Sequence, residues 1–129
     1  MSTLKIKTAE LEGDQLDLAV ALAFGIGGDV GIRTGYGCSY YNGTGLISYN
    51  PSSNWALCGM LMEVHSISCY QSSDPATGKV YHWVGVKEGV GERRRGFTAS
   101  HPKVAICRAI VASKLGDTVE IPAELLEAV

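Results

Sequence analysis

The chain has 129 residues, the length of one ordinary domain, and 46% of them are hydrophobic while 19% are charged. These proportions are typical of a globular protein with its own core, and they exclude an intrinsically disordered chain. The formal net charge of −2 argues against a general nucleic-acid-binding protein, which would usually be clearly basic. Basic residues are nevertheless concentrated at positions 79–108, which hold seven Lys or Arg and two Glu.

The first predicted helix lies in EGDQLDLAVALAFG, where apolar residues recur at helical spacing on more than one face. Gly25 suits the left-handed conformation that ends a helix. The stretch that follows, GIGGDVGIRTGYG at 25–37, has the glycine content of a nucleotide-binding loop. The dinucleotide pattern nevertheless fails, because Val30 stands at the third glycine position and the helix precedes the loop instead of following it. We therefore interpret 25–50 as a connection or irregular edge, with short strands at Gly31–Arg33 and Gly45–Tyr49 and at most the role of a lid.

The segment PSSNWALCGMLMEV predicts a second helix with a cap at Ser53 or Asn54. Its residues are apolar on nearly every side, so we expect this helix to be buried, with Trp55 as a core anchor. HSISCYQ and KVYHWVGV then alternate as strands do, and the turn-forming sequence SSDPATGK between them predicts a hairpin.

A short strand at Gly96–Ala99 leads into a third helix, in SHPKVAICRAIVASKLGD. Ser100 can cap this helix, Pro102 suits its first turn, and Gly116 ends it. An extended TVEIP and a final helical turn in PAELLEAV follow. These elements predict one α+β domain over residues 1–129, in which helices pack on an antiparallel sheet.

Three patches together resemble the NinX-like family of small tailed-phage proteins and the related phage αβα-sandwich domain: KTAELEGDQLDLAVALAFG, YNPSSNWALCG and CRAIVASKLGDTVEIP. The order and spacing of the patches carry the resemblance, which covers the first 25 residues, the centre and the last quarter. The family pattern falls on Lys7–Leu11, on Tyr49, Pro51, Ser52, Trp55 and Ala56, and on Ala109, Val111, Ala112, Ser113, Lys114, Gly116 and Asp117.

The chain departs from the family pattern at Asn54, where members usually have an acidic residue, and in the glycine-rich stretch and the loop at 71–79. The resemblance implies a phage gene expressed in the bacterial cytoplasm and a helix/sheet/helix sandwich. It implies no agreed biochemical role.

The chain carries no established nucleophile or metal motif. The four cysteines, at 38, 58, 69 and 107, form no CxxC pair, and a buried thiol is the simpler interpretation of Cys58 and Cys107. A Cys107–His101 pair is excluded because six helical residues turn the side chains about 240° apart. The histidines have no metal-binding spacing. We therefore expect no metal, no cofactor and no catalytic residue.

The strongest binding candidate is ERRRGFTASHPK. Arg93, Arg94 and Arg95 precede the third helix, whose first turn holds His101 and Lys103. The free backbone N–H groups of a helix start favour anions, and arginine suits phosphate or carboxylate. The alternative is a solvated run of charge on a loop.

Aromatic residues could supply the apolar part of such a site. The candidates are Tyr36, Tyr40 and Tyr41 in the glycine-rich region, which a core explains less easily, and Trp55. The sequence thus favours a small accessory protein that binds an anionic, nucleotide-like molecule or a host protein without catalysis. The alternatives are an enzyme acting on a phosphorylated substrate and a structural homo-oligomer. No apolar leader and no long apolar run is present, so we expect a cytoplasmic protein without membrane contact.

Overall fold

The computed structural model describes residues 2–26, 29–73, 75–78, 80–88 and 96–128. Within these residues the helices are α1 (Gly13–Ala23), α2 (Trp55–Val64), α3 (Pro102–Leu115) and the short α4 (Ala123–Leu126). The strands are β1 (Thr3–Lys7), β2 (Gly31–Arg33), β3 (Gly37–Tyr41), β4 (Leu46–Ser48), β5 (Ile67–Ser73), β6 (Val80–Lys87), β7 (Gly96–Ala99) and β8 (Thr118–Pro122).

The described strands form three small antiparallel sheets. β1 pairs with β8, β2 and β4 flank β3, and β5 and β7 flank β6. The predicted hairpin is the β5–β6 pair, whose register runs from Ile67 opposite Lys87 to Ser73 opposite Val80. The α+β class with helices packed on antiparallel strands is therefore confirmed, and the strands are divided among three sheets.

α3 is the central helix of the core, because it contacts all three strands of the β5–β6–β7 sheet and also packs against α1 and α2. Its residues Ile106 and Ile110 are fully buried, as are Leu16 and Leu18 of α1. α1 is buried on several sides, as its sequence predicts. His101, and not Ser100, occupies the position before the first turn of α3, and Gly116 ends the helix.

β6 and α3 approach each other most closely at Gly85. A Cβ atom at this position would lie against the carbonyl group of Ala105 and 3.0 Å from the backbone nitrogen of Ile106. Only glycine lets the sheet and the helix come this close, so Gly85 fixes the distance between them.

The glycine-rich region is more regular than the sequence predicts. The strands expected at Gly31–Arg33 and near Gly45–Tyr49 are present as β2 and β4, but β3 lies between them and joins them into a sheet. The interpretation of this region as a connection or irregular edge is therefore wrong at Gly37–Tyr41, which forms the central strand of a sheet with the two predicted strands. Gly35 and Gly37 have positive φ at the β2–β3 turn, so the backbone conformation of the turn accounts for these two glycines.

A buried carboxylate links α1 to the chain segment before α2. Asp17 is 3% exposed, and its Oδ1 accepts a hydrogen bond of 2.8 Å from the backbone N–H of Ser52. Burial raises the pKa of this carboxyl from 3.8 to about 6, although the hydrogen bonds from Ser52 oppose the shift. Asp17 therefore connects the first helix with the start of the second at an electrostatic cost.

The close approach at Gly85 gives a first prediction. Gly85→Ala should lower the free energy of unfolding by about 1–3 kcal/mol, because the added methyl group must push β6 away from α3. Chemical denaturation measures this loss. Gly45→Ala is the matched control, since a Cβ there would meet no atom within 4 Å and φ is not positive. Equal effects of the two substitutions would contradict the constraint at Gly85.

The buried carboxylate gives a second prediction. An acid whose pKa is raised on folding destabilises the fold as it ionises, so the Asp17 penalty develops as the pH rises from about 4 to about 6. Asp17→Asn keeps an acceptor for Ser52 and removes the ionisation. The free energy of unfolding of the variant minus that of the wild type should therefore increase across this pH window, by up to about 3 kcal/mol. Urea titrations on both sides of the window measure it, and a difference that does not change with pH would contradict the assignment.

Candidate binding surface

The start of α2 is held in place by local hydrogen bonds. Asn54 is the N-cap, and its side-chain oxygen accepts from the backbone N–H of Leu57 at 3.3 Å. The backbone N–H of Cys58 donates to the Asn54 carbonyl at 2.8 Å. The prediction of a cap at Ser53 or Asn54 is thus confirmed at Asn54, which together with the Asp17–Ser52 contact fixes where α2 begins.

The inner side of α2 packs against α3. Cys58 and Leu61 are buried, and the Cys58 Sγ lies 3.9 Å from the carbonyl oxygen of Lys103. The Cys58 and Cys107 thiols are hydrogen-bonded, and this bond together with burial raises the pKa of Cys107 far above its usual range. Cys107 is therefore a buried core residue whose thiol resists ionisation.

The outer side of α2 is exposed and mostly apolar. Trp55 is 53% exposed, Met60 51% and Val64 67%. Ala56 and Glu63 are also exposed, which makes Glu63 the one charged residue of this outer face. The expectation that α2 is buried with Trp55 as a core anchor is therefore wrong, because α3 covers only one side of the helix. We define the α2 face as Trp55, Ala56, Gly59, Met60, Glu63 and Val64.

A lysine from α3 flanks the α2 face. The Lys103 Nζ lies 4.5 Å from the centre of the Trp55 ring, which is a cation–π contact across the two helices. Such a contact in a solvated position contributes about 0.5–1 kcal/mol, so it orients the indole more than it stabilises the fold. The structure thus brings together two of the predicted site residues, one aromatic and one basic.

The remaining basic candidates differ in what the structure shows of them. His101 is exposed at the N-cap of α3, two residues before Lys103, and its side chain makes no capping hydrogen bond. Arg93, Arg94 and Arg95 lie outside the described residues. The part of the predicted anion site that the structure describes therefore consists of His101 and Lys103.

The tyrosine candidates lie in the β2–β3–β4 sheet and make their contacts there. Tyr36 is exposed in the β2–β3 turn, and its carbonyl oxygen accepts from Ser48 at 3.3 Å. Tyr40 packs edge-on against Tyr49 with ring centroids 6.4 Å apart. These contacts hold the sheet together, and they do not join the tyrosines to Trp55 or Lys103.

Arg33 is a buried cation that the sequence analysis did not identify. Its guanidinium donates to the carbonyl oxygen of Ser39 at 2.7 Å and to that of Asp29, and it lies 4.9 Å from the centre of the Tyr41 ring. The strand that contains Arg33 has only three residues and lies among glycines, so the sequence pattern does not indicate that this side chain is buried. Arg33 thus ties β2 to β3 and accounts for the position of Tyr41.

Two surface clefts lie away from the α2 face. One, of about 490 Å³, is lined by polar groups that include Asp14, Arg33 and Glu127, and the other, of about 440 Å³, lies beside β8. Neither contains a residue that the sequence predicts to bind a ligand.

Among the described residues no group of three or more His, Cys, Asp or Glu side chains could hold a metal ion. No helix in that part of the chain is long and apolar enough to cross a membrane.

Comparison with known proteins gives one family. The family model described as "Bacteriophage P22, NinX" matches residues 7–114, which is well over half of the chain. The match includes α1, α2 and the α2 face, and it ends in the last turn of α3. No curated protein matches the chain. The resemblance seen in the three sequence patches is confirmed, and the chain belongs to the phage P22 NinX family.

Proposed function

We propose that this phage accessory protein acts by binding a protein partner, without catalysis, and that the α2 face is its contact surface. The observation that carries the proposal is the exposure of Trp55, Met60 and Val64, which are spread over the solvent-facing half of a helix whose other half packs in the core. Contact with a partner would remove the apolar surface of these side chains from water, which is favourable for binding.

The composition of the α2 face supports a protein partner. Tryptophan and methionine are enriched at the centres of protein interfaces, and tryptophan often contributes most of the binding energy. The contact between Lys103 and the Trp55 ring favours one orientation of the indole before binding, which reduces the side-chain entropy lost on binding. Glu63 and Lys103 add charge near the two ends of α2. Protein interfaces commonly combine such polar groups at the rim with apolar side chains.

A second candidate function is capture of an anionic, nucleotide-like molecule. The observation that favours it is the pairing of the Lys103 ammonium with the exposed Trp55 ring at the start of α3. A planar base could stack on the indole while the phosphate contacts Lys103 and His101. Arg93, Arg94 and Arg95 precede this helix in the sequence and would add positive charge.

The proposal that the protein binds without catalysis is supported by two of its thiols, those of Cys38 and Cys107, while the hydrogen bond with Cys107 lowers the pKa of the third buried thiol, Cys58. Burial raises the pKa of Cys38 to about 12, and the pKa of Cys107 is raised even further. Both groups stay protonated near neutral pH, so neither supplies the thiolate that nucleophilic catalysis requires.

A photocrosslinking experiment tests the α2 face. A benzophenone amino acid in place of Met60, in protein expressed in bacteria, should give a covalent protein adduct. The same amino acid in place of Glu124, an exposed residue of α4, should not. Val64→Glu, introduced alongside the probe at position 60, should reduce the adduct at least about tenfold, because it places a charge in the apolar contact. Adducts of equal yield at positions 60 and 124, or none at 60, would contradict the proposal.

The second candidate has its own test, a thermal-shift series with nucleoside triphosphates and pyrophosphate. An anion that binds at Lys103 should raise the melting temperature of the wild type, since a ligand of the folded state stabilises it. Lys103→Met should abolish the shift, and Lys114→Met, in the last turn of the same helix, should retain it. Arg94→Ala and Arg95→Ala should weaken the shift. An absence of any shift in the wild type would remove the anion site from consideration.

A further inference from the structure

We propose that Asn42 is a site of spontaneous deamidation, in which the backbone nitrogen of Gly43 displaces the side-chain nitrogen of Asn42 while the β3–β4 turn stabilises the reacting carbonyl oxygen. The two residues begin the loop at 42–45, which joins β3 to β4 and is exposed throughout. The loop contributes no residue to the α2 face, so this modification is independent of the proposed function.

The loop holds the Asn42 side chain in one position. Tyr41 pairs with Leu46 where the loop begins and ends, and the backbone N–H of Asn42 donates to the Gly45 carbonyl at 3.0 Å. The Asn42 Oδ1 accepts from the backbone N–H and the hydroxyl of Thr44, each at 2.9 Å, and from the backbone N–H of Gly45 at 3.0 Å. Asparagine often bonds to the backbone of its own turn, but here three donors converge on one oxygen atom.

Three donors fit the intermediate of deamidation better than they fit the starting amide. An amide oxygen has two lone pairs. When a nucleophile adds to the carbon of that carbonyl group, the oxygen gains a third lone pair and a negative charge. Donors that already point at the oxygen therefore stabilise the intermediate more than the amide, which lowers the barrier to the reaction.

Gly43 supplies a nucleophile that is open to solvent. The residue is exposed, and a Cβ atom at this position would meet no atom within 4 Å. Within the part of the chain that the structure describes, the Gly43 N–H donates no hydrogen bond. Its proton is therefore accessible to hydroxide, and no side chain at position 43 hinders the approach of the nitrogen to the Asn42 Cγ.

The reaction needs only water and hydroxide. Hydroxide removes the proton of the Gly43 N–H, and the nitrogen lone pair forms a bond to the Asn42 Cγ. The Asn42 Nδ2 takes a proton from water and leaves as ammonia, which closes a succinimide ring. Water then adds to either carbonyl carbon of the ring and opens it to aspartate or to isoaspartate. The net change is the loss of one ammonia and the gain of one water.

The two products should differ in their effect on the β3–β4 turn. Aspartate keeps an oxygen for the donors of Thr44 and Gly45, so the turn is retained with an added negative charge. Isoaspartate carries the main chain through the former side chain, which lengthens the loop by one carbon atom. The hydrogen bond from the N–H of residue 42 to the Gly45 carbonyl then no longer fits.

The other two asparagines of the chain are internal controls. Asn50 precedes Pro51, whose nitrogen carries no hydrogen and cannot form the ring. Asn54 precedes the bulky Trp55 and caps α2. The folded full-length chain, incubated in mildly alkaline buffer and digested after tyrosine, should exchange ammonia for water at position 42 and not at positions 50 and 54. Peptide mass spectrometry measures this exchange, and no conversion at 42, or equal conversion at 42 and 54, would overturn the proposed site.

A variant of the turn and an unfolded sample test the part played by the hydrogen bonds. Thr44→Val removes the hydroxyl donor and keeps the backbone donors, so conversion at Asn42 should slow about two- to tenfold, the factor that one hydrogen bond contributes. Thr34→Val, in the exposed β2–β3 turn, is the matched control and should convert like the wild type. The wild type unfolded in guanidinium chloride should convert more slowly than the folded chain at equal ionic strength. An unchanged rate in Thr44→Val, or a faster rate in the unfolded chain, overturns the role of the turn, and circular dichroism checks that both variants are folded.

Discussion

The close approach of β6 to α3 at Gly85 is the constraint on which the rest of the structure depends. A side chain at this position would collide with the helix backbone, so its absence sets α3 directly on the sheet. α3 in turn supports α1 on the core side and α2 near its start. α2 packs on α3 through the buried Cys58, so the position of α3 on the sheet also contributes to the position of α2.

The α2 face is therefore exposed because few elements pack on α2, and no specialised sequence motif accounts for it. α2 is apolar apart from Glu63, and among the described residues it packs chiefly against one helix, α3, and against the edge strand β5. A helix of this composition in a larger domain would be covered on both sides. In this chain the second side is left with Trp55, Met60 and Val64 in solvent, beside a lysine that belongs to another helix.

The sequence predicts the helices and strands better than it predicts which other elements pack against them. Periodicity and turn residues locate α1, α2, α3 and the β5–β6 hairpin, because these signals depend on neighbours within a few residues. The exposure of Trp55 depends on how many elements cover α2, which no local pattern records. Asp17 is a charged residue within an apolar helical pattern, which gives no sign of its partner, yet its carboxylate is buried and accepts from Ser52, thirty-five positions along the chain. Lys103 and Trp55 were both candidates, but only the packing of α2 on α3 shows that they meet.

The two-stranded β1–β8 sheet joins the two ends of the described fold, so it must form late in folding. Its register joins Leu4 to Ile121 and Ile6 to Val119, and the Thr8 hydroxyl donates to the carbonyl of Gly116 at 2.7 Å. During synthesis β1 leaves the ribosome long before β8 exists, so its backbone groups must stay hydrated while α1, α2 and the hairpin are made. Contacts of such long separation carry a large loop-closure cost and form late. The β1–β8 pair therefore forms after the core between these two strands, and it joins two segments that lie more than a hundred residues apart in the sequence.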